Sequence, residues 1–424
     1  MHKITYLDIH ETIVEAVLEN GMKVFIIEKP DFMTSSFYLA VPYGSMDLNQ
    51  TTDGEKIEQP SGIAHFLEHK LFENNNGTDI MEAFSLLGAH VNAFTSHTET
   101  VYTFNISNNR LKKPLNLLLN FVQSLNITET SVEKEKGIIV QELRMYMQMP
   151  EQRLMLETYQ SLYHQHPIRL DIGGTETSVN SITKAQLERC YQLNYHPSNS
   201  VLVCVSATQP KKLLEMIEAN QKLKTFLTQS VPLRMNSHEP SSVYRENFEF
   251  SMEIQSSKLT YSFKLDCMTN QALENLRREW LLRLFLELAF SPMNSRYQRW
   301  IEEERIHDYF GYDVELNDEY GFVMFYGESE HKEDFIQLIH EGLILEEEAL
   351  TSKLDSLKRR YRALLIRSLD DHDDFALSLI RSQFIHIPFD QQFNILDSIT
   401  YEEVLGSNRY FNSDKTCSVW MKSK

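Results

Sequence analysis

The sequence predicts an α+β fold of two homologous domains, each a mostly antiparallel β-sheet packed against helices. Three observations carry this reading. Strand-like and helix-like periods interchange along the first half of the 424-residue chain. A stretch rich in Pro, Asn and Ser interrupts the pattern near the middle. The second half then repeats the same style of elements in similar order and size, which suggests an internal duplication.

From the N-terminus, residues 22–27 and 36–41 are short runs rich in β-branched and aromatic side chains and read as strands. Pro60, Ser61 and Gly62 open a helix with Ser61 as its N-cap, and Asn74, Asn75, Asn76 and Gly77 close it as a turn. Residues 90–106 read as a hairpin, with strands over 91–96 and 100–106 and a turn at 97–99. Helical periods cover 111–125, 132–149 and 151–164, and 200–206 is a buried strand. A linker at 227–245, marked by Pro232, Pro240, Ser241 and Ser242, separates a first domain, 1–226, from a second, 246–424. The second domain reads as a strand at 258–266, a helix at 271–290, strands at 308–316 and 321–327, helices at 333–369 and 375–385, and a last strand at 416–421.

Composition narrows the class. Hydrophobic residues make up 42% and charged residues 24%, as in soluble globular proteins. No apolar run is long enough to span a bilayer, and residues 1–30 lack the basic-then-apolar pattern of a signal peptide. Cys190, Cys204, Cys267 and Cys417 show no paired metal spacing and suit packed thiols in a reducing compartment, so a cytoplasmic location is expected. The net charge of −19 argues against nucleic acid or a membrane surface as partner.

His65 and His69 are four residues apart on the helix that follows Gly62. Four helical residues turn through about 400°, so both imidazoles leave one face, and neutral imidazole is a good zinc ligand. Glu68 lies within roughly 100° of both, near enough to act on a water without ligating. That is the layout of a hydrolytic zinc site with water in the fourth position, and the order H-x-x-E-H is the inverzincin signature. Ile63, Ala64, Phe66, Leu67, Leu71 and Phe72 embed these polar groups in apolar bulk, which argues against two surface histidines. A third ligand is required. Residues 131–146 read as a helix in which Glu135 and Glu142, two turns apart, share a face beside Ile138, Ile139 and Val140. By spacing alone they remain either site residues or ordinary surface glutamates.

The segment from Gly62 to His69, followed by Leu71 and Phe72, resembles the core motif of the pitrilysin-type peptidases, the insulinase or mitochondrial-processing-peptidase family. The Glu135/Glu142 pair resembles that family's second motif. The resemblance implies one zinc ion per chain, with Glu142 as the third ligand beside His65 and His69, Glu68 as the catalytic base, and Glu135 orienting a histidine ligand. Gly88 to Ser96 resembles the family's edge strand, where substrate pairs beside the metal, and implies Asn92, Ala93 and Phe94 as substrate-binding positions. Asn194 to Val203 resembles the segment leading into the last strand of the family's first domain. The likeness is greatest to short bacterial members that work as paired subunits, one with zinc ligands and one without, each forming half of a clamshell. Some such pairs mature ribosomally made peptides, including bacteriocins.

The second half departs from the family pattern. Its members often carry an Arg and a Tyr seven residues apart that hold substrate and help stabilise the oxyanion. In the stretch from Ser295 to Tyr309 those places fall on Ile301 and Asp308, with Arg305 and Tyr309 out of register. Losing such a stabiliser typically costs about 3 kcal/mol. A heterodimer is therefore expected, in which a paralogous subunit without zinc supplies the Arg/Tyr pair. The expected function is zinc-dependent endopeptidase action on short or unfolded peptides in a closed chamber, in leader removal or peptide maturation. The alternatives are a homodimeric peptide scavenger and a non-catalytic structural subunit, and the complete motif argues against the latter. The remaining constellations read as structural: Asp370 to Asp374 as a helix N-cap junction, His164 and His166 as loop, Glu346 to Glu348 as a solvated helix face.

Overall fold

The computed structural model describes residues 1–6, 9–73, 79–108, 110–227, 230–235, 238–345 and 350–424. The expected turn at 74–77, the acidic run at 346–348 and linker residues 228–229 and 236–237 lie outside the described residues.

The first strands are β1 (His2–Tyr6), β2 (Glu11–Val17), β3 (Lys23–Glu28), β4 (Thr34–Val41), β5 (Asn49–Thr52) and β6 (Glu55–Glu58). Helices α1 (Ile63–Leu71) and α2 (Ile80–Leu86) lead to the hairpin β7 (His90–Thr95) and β8 (Thr100–Ser107). Then come α3 (Lys112–Val122), α4 (Glu129–Tyr146), α5 (Pro150–Leu162), α6 (Glu176–Ser181), α7 (Lys184–Asn194), β9 (Val201–Ser206), α8 (Pro210–Gln221) and the short β10 (Leu233–Arg234). The second half holds β11 (Asn247–Met252), β12 (Lys258–Lys264), α9 (Ala272–Phe290), α10 (Tyr297–Glu302), β13 (Gly311–Leu316), β14 (Gly321–Glu328), α11 (Lys332–Gly342), α12 (Leu350–Ser368), α13 (His372–Phe384), α14 (Gln391–Ser398), α15 (Tyr401–Gly406) and β15 (Thr416–Ser423).

The chain forms two compact units, and both are α+β as predicted. The first comprises residues 1–145, 171–235 and 368–386, the second 146–170, 236–367 and 387–424. A single cut at 227–245 therefore does not describe them. Helix α5, expected in the first domain, packs against β12 and β15 of the second unit. Helix α13, expected in the second, packs against β4 and β9 of the first. The reason is chemical fit. Phe375, Ala376, Leu379 and Ile380 give α13 a buried apolar face. Its ends are tied by His372 to the Ser36 hydroxyl at 2.9 Å and by Arg381 to Glu99 at 3.1 Å. Asp371 caps α13 through the amides of Asp373 and Asp374, in line with the junction reading.

The first unit is built on a seven-stranded sheet in the order β1-β2-β3-β9-β4-β8-β7, with β5, β6 and β10 in a separate three-stranded sheet. Only β3 and β9 pair parallel. β9 is the central strand, fourth from either side, and all six of its residues are buried, which explains its unbroken apolar run. β7 lies at the edge. The second unit holds five strands in the order β11-β15-β12-β14-β13, antiparallel except for β11 beside β15. Two other expectations are corrected. The helix expected over 333–369 is two helices, α11 ending at Gly342 and α12 beginning at Leu350. The N-cap of α1 is Gly62, at φ 86°, and not Ser61. A Cβ at Gly62 would stand 2.2 Å from the Gly173 carbonyl oxygen, and one at Gly174 would stand 2.5 Å from that of Ser61. Backbone-to-backbone packing sets this helix start, and only glycine tolerates it.

Candidate metal centre

Helix α1 turns Ile63, Ala64, Phe66, Leu67 and Leu71 into the first core, so His65, Glu68 and His69 occupy the remaining flank. Helix α4 buries Val132, Ile139, Val140 and Leu143 and carries Glu135 and Glu142 on one side. The two helices bring these side chains together. Glu142 Oε2 stands 3.5 Å from His69 Nε2 and 3.9 Å from His65 Nε2. The imidazole centroids are 4.6 Å apart. One donor atom from each of His65, His69 and Glu142 falls within a 4.8 Å cluster, and among the described residues no other trio of His, Cys, Asp or Glu converges this way. Ligands of a tetrahedral zinc, each about 2.0–2.1 Å from the ion, stand roughly 3.4 Å apart. The donor set thus fits zinc, and both Glu142–histidine separations lie within about 0.5 Å of that spacing.

The surroundings prepare these groups. Glu135 Oε1 lies 3.0 Å from His69 Nδ1. An ionised carboxylate only accepts, so Nδ1 carries the proton and Nε2 keeps its lone pair for the cluster. The buried Lys70 ammonium steadies Glu135 from 3.6 Å and also donates to Glu73 and to the Ser131 carbonyl. Burial disfavours charge on His69, but the hydrogen bond and charge of Glu135 outweigh it and its pKa rises. For Glu135, burial is likewise outweighed, by His69 and Lys70, and its pKa falls. Burial pushes His65 down to about 4, with the His69 charge adding to it, so this ring is neutral at pH 7. Burial raises Glu68 against the opposing hydrogen bond from Thr95, whose Oγ1 donates to Glu68 Oε2 at 2.6 Å.

Of the predicted site residues, His65, Glu68, His69, Glu135 and Glu142 fall at or beside this cluster. Asn92, Ala93 and Phe94 lie in β7, the edge strand whose last residue is Thr95, and the Ala93 amide donates to the Asn92 side chain at 2.9 Å. Sequence reasoning missed Thr95, Lys70 and the loop Asp171–Gly174. In that loop Asp171 accepts from the Gly173 amide at 2.8 Å, burial raises its pKa, and a Cβ at Gly173 would stand 3.5 Å from His65 Nδ1. Thr95 lies within the Gly88 to Ser96 segment, whose likeness to the family's edge strand is the signal that marks it. The loop, distant in sequence, carried no signal. In the second unit Ile301 and Asp308 are exposed, and Arg305 is paired with Glu341 at 2.8 Å. Tyr309 lies 3.7 Å from the Lys258 ammonium.

Comparison with known proteins gives a consistent answer. The profile described as "Insulinase (Peptidase family M16)" matches residues 23–176, and that described as "Peptidase M16 inactive domain" matches residues 181–354. A Bacillus subtilis protein named as the uncharacterized zinc protease YmfH is 32% identical over 404 residues, covering 95% of this chain and 94% of that protein. The mitochondrial-processing peptidase subunit beta of Neurospora crassa is 26% identical over 204 residues, 47% of this chain and 41% of that one. Among solved structures, an M16-like peptidase from Alicyclobacillus acidocaldarius matches with a TM-score of 0.91 and 29% identity, covering 98% of this chain and 99% of that one.

Proposed function

Because the chain belongs to the insulinase family, peptidase family M16, we propose that it is a zinc endopeptidase in which His65, His69 and Glu142 hold one zinc ion and Glu68 is the general base. The observation that carries this reading is the convergence of the three donors beside a Glu68 carboxylate held by Thr95. Zinc, when bound, supplies Lewis acidity and makes water more acidic. Glu68 takes the proton from the attacking water on a carboxylate oxygen and returns it to the leaving amine. Thr95 fixes the direction from which that oxygen acts. Glu135 holds the His69 ring in the ligating tautomer. The exposed edge of β7 accepts the peptide as an added strand, and the incoming backbone takes over the Ala93 amide from Asn92.

The reading extends to a partner. With Ile301 and Asp308 where the family often has Arg and Tyr, and Arg305 committed to Glu341, a paralogous subunit without zinc supplies the missing pair in a heterodimer. No helix among the described residues is long and apolar enough to cross a membrane. The free cysteines suit a reducing compartment, so we take the site of action as cytoplasmic, on short or unfolded peptides, including leader removal from a ribosomally made precursor. The test is peptide hydrolysis by the zinc-loaded chain with and without its paralog. A rise of a hundredfold or more on mixing is expected, from the size of one missing oxyanion contact. Full activity from the chain alone would remove the partner from the account, and no zinc-dependent hydrolysis in the mixture would remove the peptidase.

A further inference from the structure

Within the first unit, a cavity of about 630 Å³ lies among the end of α2, the segment after β8, the start of α3 and α8. Leu86, Leu87, Leu111 and Met216 give it an apolar lining, and Arg110, Lys112, Lys113 and Lys212 supply its charge, with no carboxylate among the lining residues. All four cations are exposed, and among the described residues none has an ion-pair partner. Elsewhere in the same unit exposed cations do find acids: Arg144 pairs with Glu176 at 2.7 Å and Arg189 with Glu55 at 2.5 Å. In a chain with 60 acidic and 41 basic residues, four unpaired cations around one hollow are a local reversal of charge. The start of α3 has no side-chain cap, so its amides add to the positive potential. One wall is firmly set, since the Asn108 side chain donates to the Phe32 carbonyl at 2.6 Å.

The place of the cavity gives it a meaning. β7 runs from His90 to Thr95, where Thr95 touches Glu68. Its partner β8 runs the other way, from Thr100 opposite Thr95 to Asn105 opposite His90, and Asn108 and Arg110 follow at that far end. Leu86 and Leu87 lead into β7 from the same end. The edge strand therefore joins the metal cluster to the basic cavity over about 17 Å. We propose that this cavity is a docking site for an acidic, apolar segment of the peptide substrate, roughly six to nine residues from the scissile bond, and that it selects substrates in which acidic residues flank a leucine-like side chain. The proposal rests on the edge-pairing reading of β7. The hollow admits the apolar side chain while the basic rim meets the flanking carboxylates, a combination that suits a peptide better than a flat lipid surface.

The test is direct binding to metal-free protein, so that cleavage plays no part. A short fluorescent peptide with alternating leucine and glutamate is compared by anisotropy with its glutamine counterpart. The acidic peptide is expected to bind at least about tenfold more tightly at low salt, with the advantage fading as ionic strength approaches ~1 M. Lys112→Glu with Lys113→Glu, or separately Lys212→Glu on a different helix, should abolish the preference. Equal binding of the two peptides, or a preference that survives both variants, overturns the proposal. So does capture of phosphatidylserine vesicles without peptide binding, or a self-association that the same variants abolish. Hydrolysis of the glutamine peptide by zinc-loaded protein and paralog is scored separately. Its absence alongside a charge-dependent binding preference would break the peptidase reading and leave the acidic-peptide site standing.

Discussion

Two helices lie against the two sheets, and their chemistry is opposite. In the first unit α1 packs on β7 and keeps two imidazoles and a carboxylate on its flank. In the second, α9 packs on β13 and buries residues around nearly its whole circumference, among them Trp280, Leu282, Leu284, Phe285 and Leu288. Among the described residues the second unit has no converging metal donors. The polar groups of α9 are spent on structural pairs, Arg283 with Glu279 at 2.7 Å and Arg278 with the Asp266 carbonyl at 2.9 Å, so this helix serves packing and stability. A helix with polar groups at a half-buried flank gives up part of that stability, and the cost shows in the lowered His65 and raised Glu68. On the proposed reading the two units divide the work: one carries the candidate metal cluster, and the long helix of the other is given over to packing.

Substitutions should expose that division. The largest effect is expected for Glu68→Gln, which should lower peptide turnover by about 10²–10⁴-fold while elemental analysis still finds zinc, because Glu68 is outside the ligand trio. Loss of zinc in that variant would mean its role is misassigned. On the other side of the comparison, Phe285→Ala should remove about 3–5 kcal/mol from the second unit, read by denaturant unfolding, without lowering the zinc content of the folded protein. Glu135→Gln should weaken zinc about 10–100-fold, measured against a competing chelator, because the His69 ring loses its anchor. The smallest effect is a pH dependence. Zinc requires neutral rings. His65 stays neutral down to about 4, whereas His69, with its pKa raised, takes up a proton first as pH falls. Zinc affinity should therefore be constant above the raised His69 value and fall by about tenfold per pH unit below it. In Glu135→Gln the onset should move to lower pH, because the group that raised His69 has lost its charge.

The parts of this site that were legible in the sequence are the local ones. His65, Glu68 and His69 share a face because helical geometry relates residues four apart, and the neighbouring apolar residues showed which face was buried. Glu142 follows His69 by 73 residues, and periodicity does not say which helices meet. Its place came from likeness to a family, and the structure brings its carboxylate to the imidazoles. Residue preference favours Ser61 as the cap, but the close approach of Gly62 to the Gly173 carbonyl, more than a hundred residues away, decides the matter. The positions of α5 and α13 were missed for a related reason. An apolar stripe announces that a helix packs, and it is silent about which sheet receives it. The four cations around the cavity near α3 were invisible to net charge, which sums over a surface and hides local reversals.

The most direct test of the account is anomalous diffraction from crystals of natively purified protein, recorded on both sides of the zinc absorption edge. One peak is expected per chain, between His65 Nε2, His69 Nε2 and Glu142 Oε2. A peak bound elsewhere, or no peak beside an intact His65, His69 and Glu142 cluster, would contradict it.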